Sequence, residues 1–349
     1  QQFNRDHAHI AITVPTDSGY EVLLVSSART IVEARTEKGS PYSQLIPPRW
    51  TKASLEAFIS GESLPNPPST YRHLIAELDA LIEFQNPTYK DVVCCWLLGT
   101  YMYTMFDAYG YLALLGPMGS GKTKLGEILE ELAFNPIRTS SITSAVLFRS
   151  VEIAGCTLIL DEQDALRTTK VSDDRLGLLR DGYKKGGTVL RTKELARDGA
   201  PLLFNVYSPK VIITTSEIEG MLADRCIPIH MLRSVGKQGT ALVTEHSDQL
   251  HAIRDELYGL ALTVFQQVRR HYQDPGMAIQ LNNRQRERWL PILAIAQVLC
   301  PDQLPGLEEM ACQDIGSTIL ADPIDSAFLS ALDGLVLKEG GAISLATSD

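Results

Sequence analysis

Residues 116–123 read Gly116-Pro117-Met118-Gly119-Ser120-Gly121-Lys122-Thr123, a G-x-x-x-x-G-K-T run. Few short patterns constrain a fold more, because this one works only between a strand and a helix. Both flanks are present. The apolar Tyr111-Leu112-Ala113-Leu114-Leu115 precedes it, and Lys124-Leu125-Gly126-Glu127-Ile128-Leu129-Glu130-Glu131-Leu132 follows with helical character. Gly116, Gly119 and Gly121 let the backbone curl around Ser120, so that successive N–H groups point at the β- and γ-phosphates at the positive end of the helix. Lys122 adds a point charge between those phosphates, and Thr123 offers its hydroxyl to Mg²⁺. ATP and Mg²⁺ are therefore the expected ligands.

The remaining parts of such a site follow in order. Cys156-Thr157-Leu158-Ile159-Leu160-Asp161-Glu162 reads as a buried strand ending in two acids. Asp161 is placed to hold Mg²⁺ through water, and Glu162 to orient and deprotonate the attacking water. The strand Lys210-Val211-Ile212-Ile213-Thr214-Thr215-Ser216 ends in hydroxyls, of which Thr214 or Thr215 would meet the γ-phosphate or the lytic water; Thr215 is the catalytic candidate. Arg225, in Ala223-Asp224-Arg225-Cys226-Ile227-Pro228-Ile229, stands just before another strand and suits a finger on a neighbouring subunit's γ-phosphate, with Arg233 in reserve. A surface salt bridge to Asp224 is the competing reading. Arg284 opens a helix and would close over the nucleotide from a lid; Arg286 and Arg288 compete, as does a solvated face.

Composition narrows the class. The 349 residues are 44% hydrophobic and 21% charged, ordinary for a globular protein with a large core. No run of about 18 uncharged apolar residues is present, so no membrane partner is expected. The six cysteines lack C-x-x-C spacing and mostly sit in apolar runs, which predicts buried thiols and a reducing cytoplasm. The chain starts without methionine or a signal-peptide pattern, as expected of a piece of a longer protein.

Along the chain, residues 1–63 read as a small α+β region with a hairpin around Thr16-Asp17-Ser18-Gly19 and a short helix at Thr51–Ile59. Residues 64–110 read as a Pro-rich linker, Leu64–Pro68, followed by helices over 70–85 and 88–106. Residues 111–235 alternate strand and helix, predicting an α/β core with a mainly parallel sheet and helices on both faces. Residues 236–321 read as helical, and 322–349 as the possible start of a winged-helix region.

Taken together, the loop, L-I-L-D-E, V-I-I-T-T-S and A-D-R-C-I-P-I resemble the AAA+ ATPases over roughly residues 90–300, and Asp224-Arg225-Cys226 is similar to the Ser-Arg-Cys box of clamp-loader relatives. That resemblance implies a P-loop NTPase fold with a five-stranded sheet, a C-terminal helical lid and a homo-oligomeric ring, a hexamer being usual, with ATP between subunits. The third strand lacks the family's common asparagine. Two β-prone runs, Thr188-Val189-Leu190-Arg191-Thr192 and Pro201-Leu202-Leu203-Phe204-Asn205, suggest a hairpin inserted before that strand. Such an insert resembles the minichromosome-maintenance-like hairpin of helicases, and most nearly the helicase part of plasmid, phage and mobile-element primase–helicases. Arg175 to Arg197 holds seven basic and two acidic residues in a chain of net charge −10. Lys184, Lys185, Arg191, Lys193 and Arg197 are thus the expected DNA contacts. The expected activity is that of an ATP-driven DNA helicase or translocase. An ATP-dependent switch acting on a protein partner, as in a defence or regulatory ATPase, is the alternative; a kinase fits the paired acids poorly.

Overall fold

The structure is a computed structural model describing residues 1–16, 19–33, 45–62, 64–161, 174–192, 201–216, 218, 220–233 and 241–314. Strands β1 (Gln2–Phe3), β2 (Ala8–Thr16), β3 (Gly19–Ser26) and β4 (Ile31–Glu33) make an antiparallel sheet in that order. Pairing of Thr16 with Gly19 agrees with the expected hairpin. Helices α1 (Lys52–Ser60), α2 (Pro67–Leu81) and α3 (Thr88–Thr100) follow.

The stretch read as a linker is half helix. Asn66 accepts a hydrogen bond from the Ser69 N–H, and Pro67 and Pro68 occupy the first turn of α2, where their missing N–H groups are not needed. Proline clusters alone do not separate a linker from such a helix start.

The central layer runs β5 (Tyr111–Leu115), α4 (Lys122–Leu132), β6 (Pro136–Thr139), α5 (Ser144–Ala154), β7 (Thr157–Leu160), α6 (Asp174–Asp181), β8 (Thr188–Thr192), β9 (Pro201–Asn205), β10 (Lys210–Thr214), α7 (Gly220–Ala223) and β11 (Cys226–His230). Five of these strands form an all-parallel sheet in the order β11-β5-β10-β7-β6. Side chains alternate between two cores. Leu112, Leu114, Ile159, Val211, Ile213, Ile227 and Ile229 bury into one; Tyr111, Ala113, Leu158, Leu160, Ile212 and Cys226 bury into the other. Burial on both faces explains why the strands read as continuous apolar runs. The result is an α/β sheet flanked by helices, compatible with a P-loop fold. Its edge strand β6, Pro-Ile-Arg-Thr, carries too weak a pattern to be recognised from sequence.

C-terminal helices α8 (Ser247–Tyr272), α9 (Asn283–Leu299) and α10 (Leu304–Gln313) pack on α2, α3 and α4. The lead-in helices and the C-terminal helices thus share one core, which also receives Ala8, Ile10 and Val25 of the N-terminal sheet. The tail read as winged-helix, 322–349, lies outside the described residues. No helix among those described is long and apolar enough to cross a membrane. Cys94, Cys95, Cys156, Cys226 and Cys300 are buried free thiols, whereas Cys312 is exposed.

The insert is an antiparallel pair, β8 with β9, rooted at the start of β10. Lys210 ties the root together. Fully buried, its Nζ donates to the carbonyls of Gly182, Val206 and Ser208 at 3.1, 3.1 and 3.0 Å. Burial lowers its pKa to about 7, opposed by Cys156. Between about pH 7 and the ordinary lysine value of 10.5, the unfolded chain holds a proton that the folded chain releases. Stability should therefore rise with pH across that window, while below it the cost of burying the charge is felt in full. The slope is at most one proton, about 1.4 kcal/mol per pH unit. Urea unfolding of wild type and Lys210→Met at pH 7 and pH 9 should show the gain in wild type alone; equal pH responses would exclude Lys210 as its source.

Candidate functional site

Chain connections leave β5 toward β6 on one side and leave β10 toward β11 on the other, so the strand order reverses between β5 and β10. Ligands of open α/β sheets bind in the crevice at such a point, beyond the carboxyl ends of the strands. Residues 116–121 sit there, directly after Leu115, which pairs with Thr214 of β10 and His230 of β11.

Local conformation matches the expected cradle. Gly116, Gly119 and Gly121 have φ of +153°, +77° and +88°. A Cβ on Gly116 would collide with the Met231 carbonyl, and Gly121 caps α4 in the left-handed region. Helix α4 closes on the sheet through Gly126, where a Cβ would stand 2.6 Å from Ile213 Cδ1. This contact fixes the helix N-terminus over the crevice, with its unsatisfied N–H groups and positive dipole end.

Lys122 is buried in the loop, its Nζ donating to Gly116 O at 2.6 Å, Pro117 O at 2.8 Å and Ser120 Oγ at 3.4 Å. Ser120 is also buried, and Thr123 is exposed in the first turn of α4. Asp161 follows β7. Since Leu160 pairs with Ile212, which pairs with Ala113, Asp161 stands level with Leu114, two residues short of Gly116 and two strands away, at the same end of the sheet as the loop. The lateral separation is about 10 Å. Asp161 and Thr123 are hard oxygen donors of the kind Mg²⁺ takes, and the positive-φ glycines, Lys122 and the helix N-terminus are the donor set a phosphate takes, so the residues present fit both ligands. Glu162 lies outside the described residues.

Two residues near the loop carry more than the sequence suggested. Arg138 of β6 donates from Nη2 to Asp161 Oδ2 at 2.9 Å, and its Nη1 lies 3.3 Å from Glu130 and 3.7 Å from Glu127. It holds the Asp161 carboxylate in place. An unrecognised strand hid this arginine. Arg233, expected as the reserve finger for a neighbour, instead crosses the glycine loop of its own chain. Its Nε donates to Met118 O at 2.8 Å and lies 3.6 Å from where a Gly119 Cβ would be. Thr214 is buried at the end of β10, its hydroxyl accepting from Ser216 N at 3.0 Å, while Thr215 is exposed beside it.

Arg225 and Arg284 are not brought to this loop. Cys226 pairs with Tyr111 at the opposite end of β5, about 16 Å along the strands from Gly116. There Arg225 donates from Nε to Arg180 O at 2.7 Å and also bonds Met221 O. Arg284 forms ion pairs with Asp224 at 3.0 Å and Glu287 at 2.8 Å. The competing arginines are structural: Arg286 donates to the carbonyls of Met277 and Ala278, and Arg288 is buried against Cys226 O and Asp314.

The lysines expected on the hairpin lie at its root. Lys184 Nζ is 2.6 Å from Glu287 Oε1, and Lys185 Nζ donates to Thr104 O at 2.9 Å. Arg191 belongs to β8, but its side chain is outside the described part, as are Lys193 and Arg197. One face of the hairpin packs Phe204 on Phe148 of α5, with ring centroids 4.5 Å apart. The other presents the cross-strand pair Leu190 and Leu203, 62% and 61% exposed.

No protein-family model matches the chain, and no curated protein does. Solved structures overlap it in part. JCV helicase is 15% identical with a TM-score of 0.33, over 68% of this chain and 60% of that one. An inhibitor-bound JCV helicase is 15% identical with a TM-score of 0.32, over 56% and 54%. The NrS-1 C-terminal region is 15% identical with a TM-score of 0.30, over 57% and 45%. The chain thus spans less than two thirds of each of these structures.

Proposed function

We propose that this chain is an ATP-hydrolysing AAA+ motor, assembled as a hexameric ring of identical copies and moving along DNA as a helicase or translocase of a mobile-element or plasmid replication system does. One observation carries the reading: the glycine loop and Lys122 stand at the reversal point of a five-stranded parallel sheet, with Asp161 at the same end of that sheet two strands away. In this reading Gly116, Gly119, Ser120, Gly121, Lys122 and Thr123 hold the triphosphate. Asp161 and Thr123 hold Mg²⁺, which offsets phosphate charge when bound. Glu162 activates water, and Thr214 or Thr215 fixes it.

Arg225 stands too far from its own loop to act there, which supports a role on the nucleotide of an adjacent copy. Arg284 shares that position and is better read with Arg225 than as a residue closing over its own nucleotide. Arg233 takes the place of an arginine acting within the chain. DNA contact falls to Arg191, Lys193 and Arg197, because Lys184 and Lys185 are engaged at the root.

One feature favours the second reading, a switch working on a protein partner. Exposed Leu190 and Leu203 suit an apolar protein surface better than a phosphate backbone. ATP turnover with and without single-stranded DNA separates the two. A DNA motor should be stimulated and should lose that stimulation in Arg191→Ala/Lys193→Ala; turnover indifferent to DNA would leave the protein-directed switch.

A further inference from the structure

At the end of the sheet remote from the glycine loop, three cations surround one aromatic ring. Tyr183 is 2% exposed. The guanidinium carbons of Arg225 and Arg284 lie 5.2 and 5.6 Å from its ring centroid, and Lys184 Nζ lies 5.6 Å away. Its hydroxyl donates to Glu287 Oε2 and accepts from Arg284 Nη1. Burial, then the bond to Glu287, raises the phenol's pKa, so it keeps the proton it donates. Asp224 and Glu287 are the two carboxylates of the group.

We propose that Tyr183 is a positioning residue that keeps Arg225 and Arg284 side by side, aimed outward at the phosphates of a nucleotide held by an adjacent copy. This rests on the ring reading above. Two guanidinium groups gathered within 5.6 Å of one ring centroid need a group among them that accepts positive charge. The negative face of a buried ring does so, while its hydroxyl orients one of the pair. Three cations against two carboxylates leave the cluster net positive, the sign needed to meet a polyphosphate. Arg225 and Arg284 remain only part-buried, as groups that must reach outward have to be.

The main chain of Tyr183 is held as firmly as its ring. Its carbonyl accepts from Tyr109 N at 2.9 Å, and the preceding Gly182 carbonyl accepts from Ser208 N at 3.2 Å and from Lys210. The ring therefore sits at a fixed point where the hairpin root meets the segment leading into β5. A tyrosine needed only for packing would not require Arg225 against its ring and both Arg284 and Glu287 on its hydroxyl.

The test uses the full chain and five variants: Arg225→Ala, Tyr183→Leu, Tyr183→Phe, Glu287→Gln and Lys122→Ala. Arg225→Ala should lower kcat by about a thousandfold with little change in KM. Tyr183→Leu should lower kcat about tenfold, again at unchanged KM, and Tyr183→Phe should fall between it and wild type. Mixing either Arg225→Ala or Tyr183→Leu with Lys122→Ala should restore turnover, because the Lys122→Ala copy still presents its arginines. If Arg225→Ala loses activity but Tyr183→Leu and Tyr183→Phe keep wild-type kcat, the positioning role is wrong and the ring reading stands. If Arg225→Ala keeps kcat, the ring reading itself fails. Should Tyr183→Leu melt early, Tyr183→Phe and Glu287→Gln, which keep the ring, carry the test; wild-type kcat in both overturns the proposal.

Discussion

Lys122→Ala should lose nucleotide binding, with affinity for a non-hydrolysable ATP analogue falling at least about a hundredfold, or about 3 kcal/mol. The side chain lies inside the loop rather than in solvent, and its ammonium already bonds the carbonyls of Gly116 and Pro117. Those bonds stabilise the curl, and on the proposed reading the same ammonium supplies the charge between two phosphates. Alanine removes both, and charge-assisted hydrogen bonds are the strong ones. Lys122→Arg should fail nearly as badly, since a planar fork does not replace a compact ammonium in so tight a cradle. Titration calorimetry with the analogue reads the effect. Wild-type affinity in Lys122→Ala would remove the phosphate-loop assignment and every role built on it.

Glu162→Gln should bind the same analogue as wild type yet release phosphate about a hundred to ten thousand times more slowly. Its predecessor Asp161 is fixed at the end of β7 by Arg138 and by its own N–H bond to Thr139 O at 2.9 Å. The amide matches the carboxylate in shape but takes no proton from water. Binding and turnover measured on one preparation distinguish a lost base from a damaged site. Normal phosphate release would send the search for the base to another residue.

Much of this was legible from residue order. Strand β5, the loop, α4, β7, β10, β11 and the inserted pair all fall where apolar runs and turn residues put them. Such elements announce themselves because both sheet faces are buried and the glycines need positive φ. The misses share a cause. Strand β6 is four residues long with proline and arginine in it, so no periodicity marks it, and Arg138 went unnoticed with it. Lys184 and Lys185 read as hairpin charges because a basic window carries no record of its partners; Glu287, about a hundred residues away, takes one of them.

The chain's own order of residues determined that a tight glycine turn joins β5 to α4, which residues build it and which acids follow β7. Those are local matters of backbone freedom and side-chain chemistry within a few positions. Tertiary structure alone decided which end of the sheet each arginine occupies. Strands run in one direction, so a residue just before β11 and a residue just after it stand at opposite ends of the sheet. Arg225 and Arg233, eight positions apart in sequence, are therefore separated by the length of a strand, and only Arg233 meets its own loop.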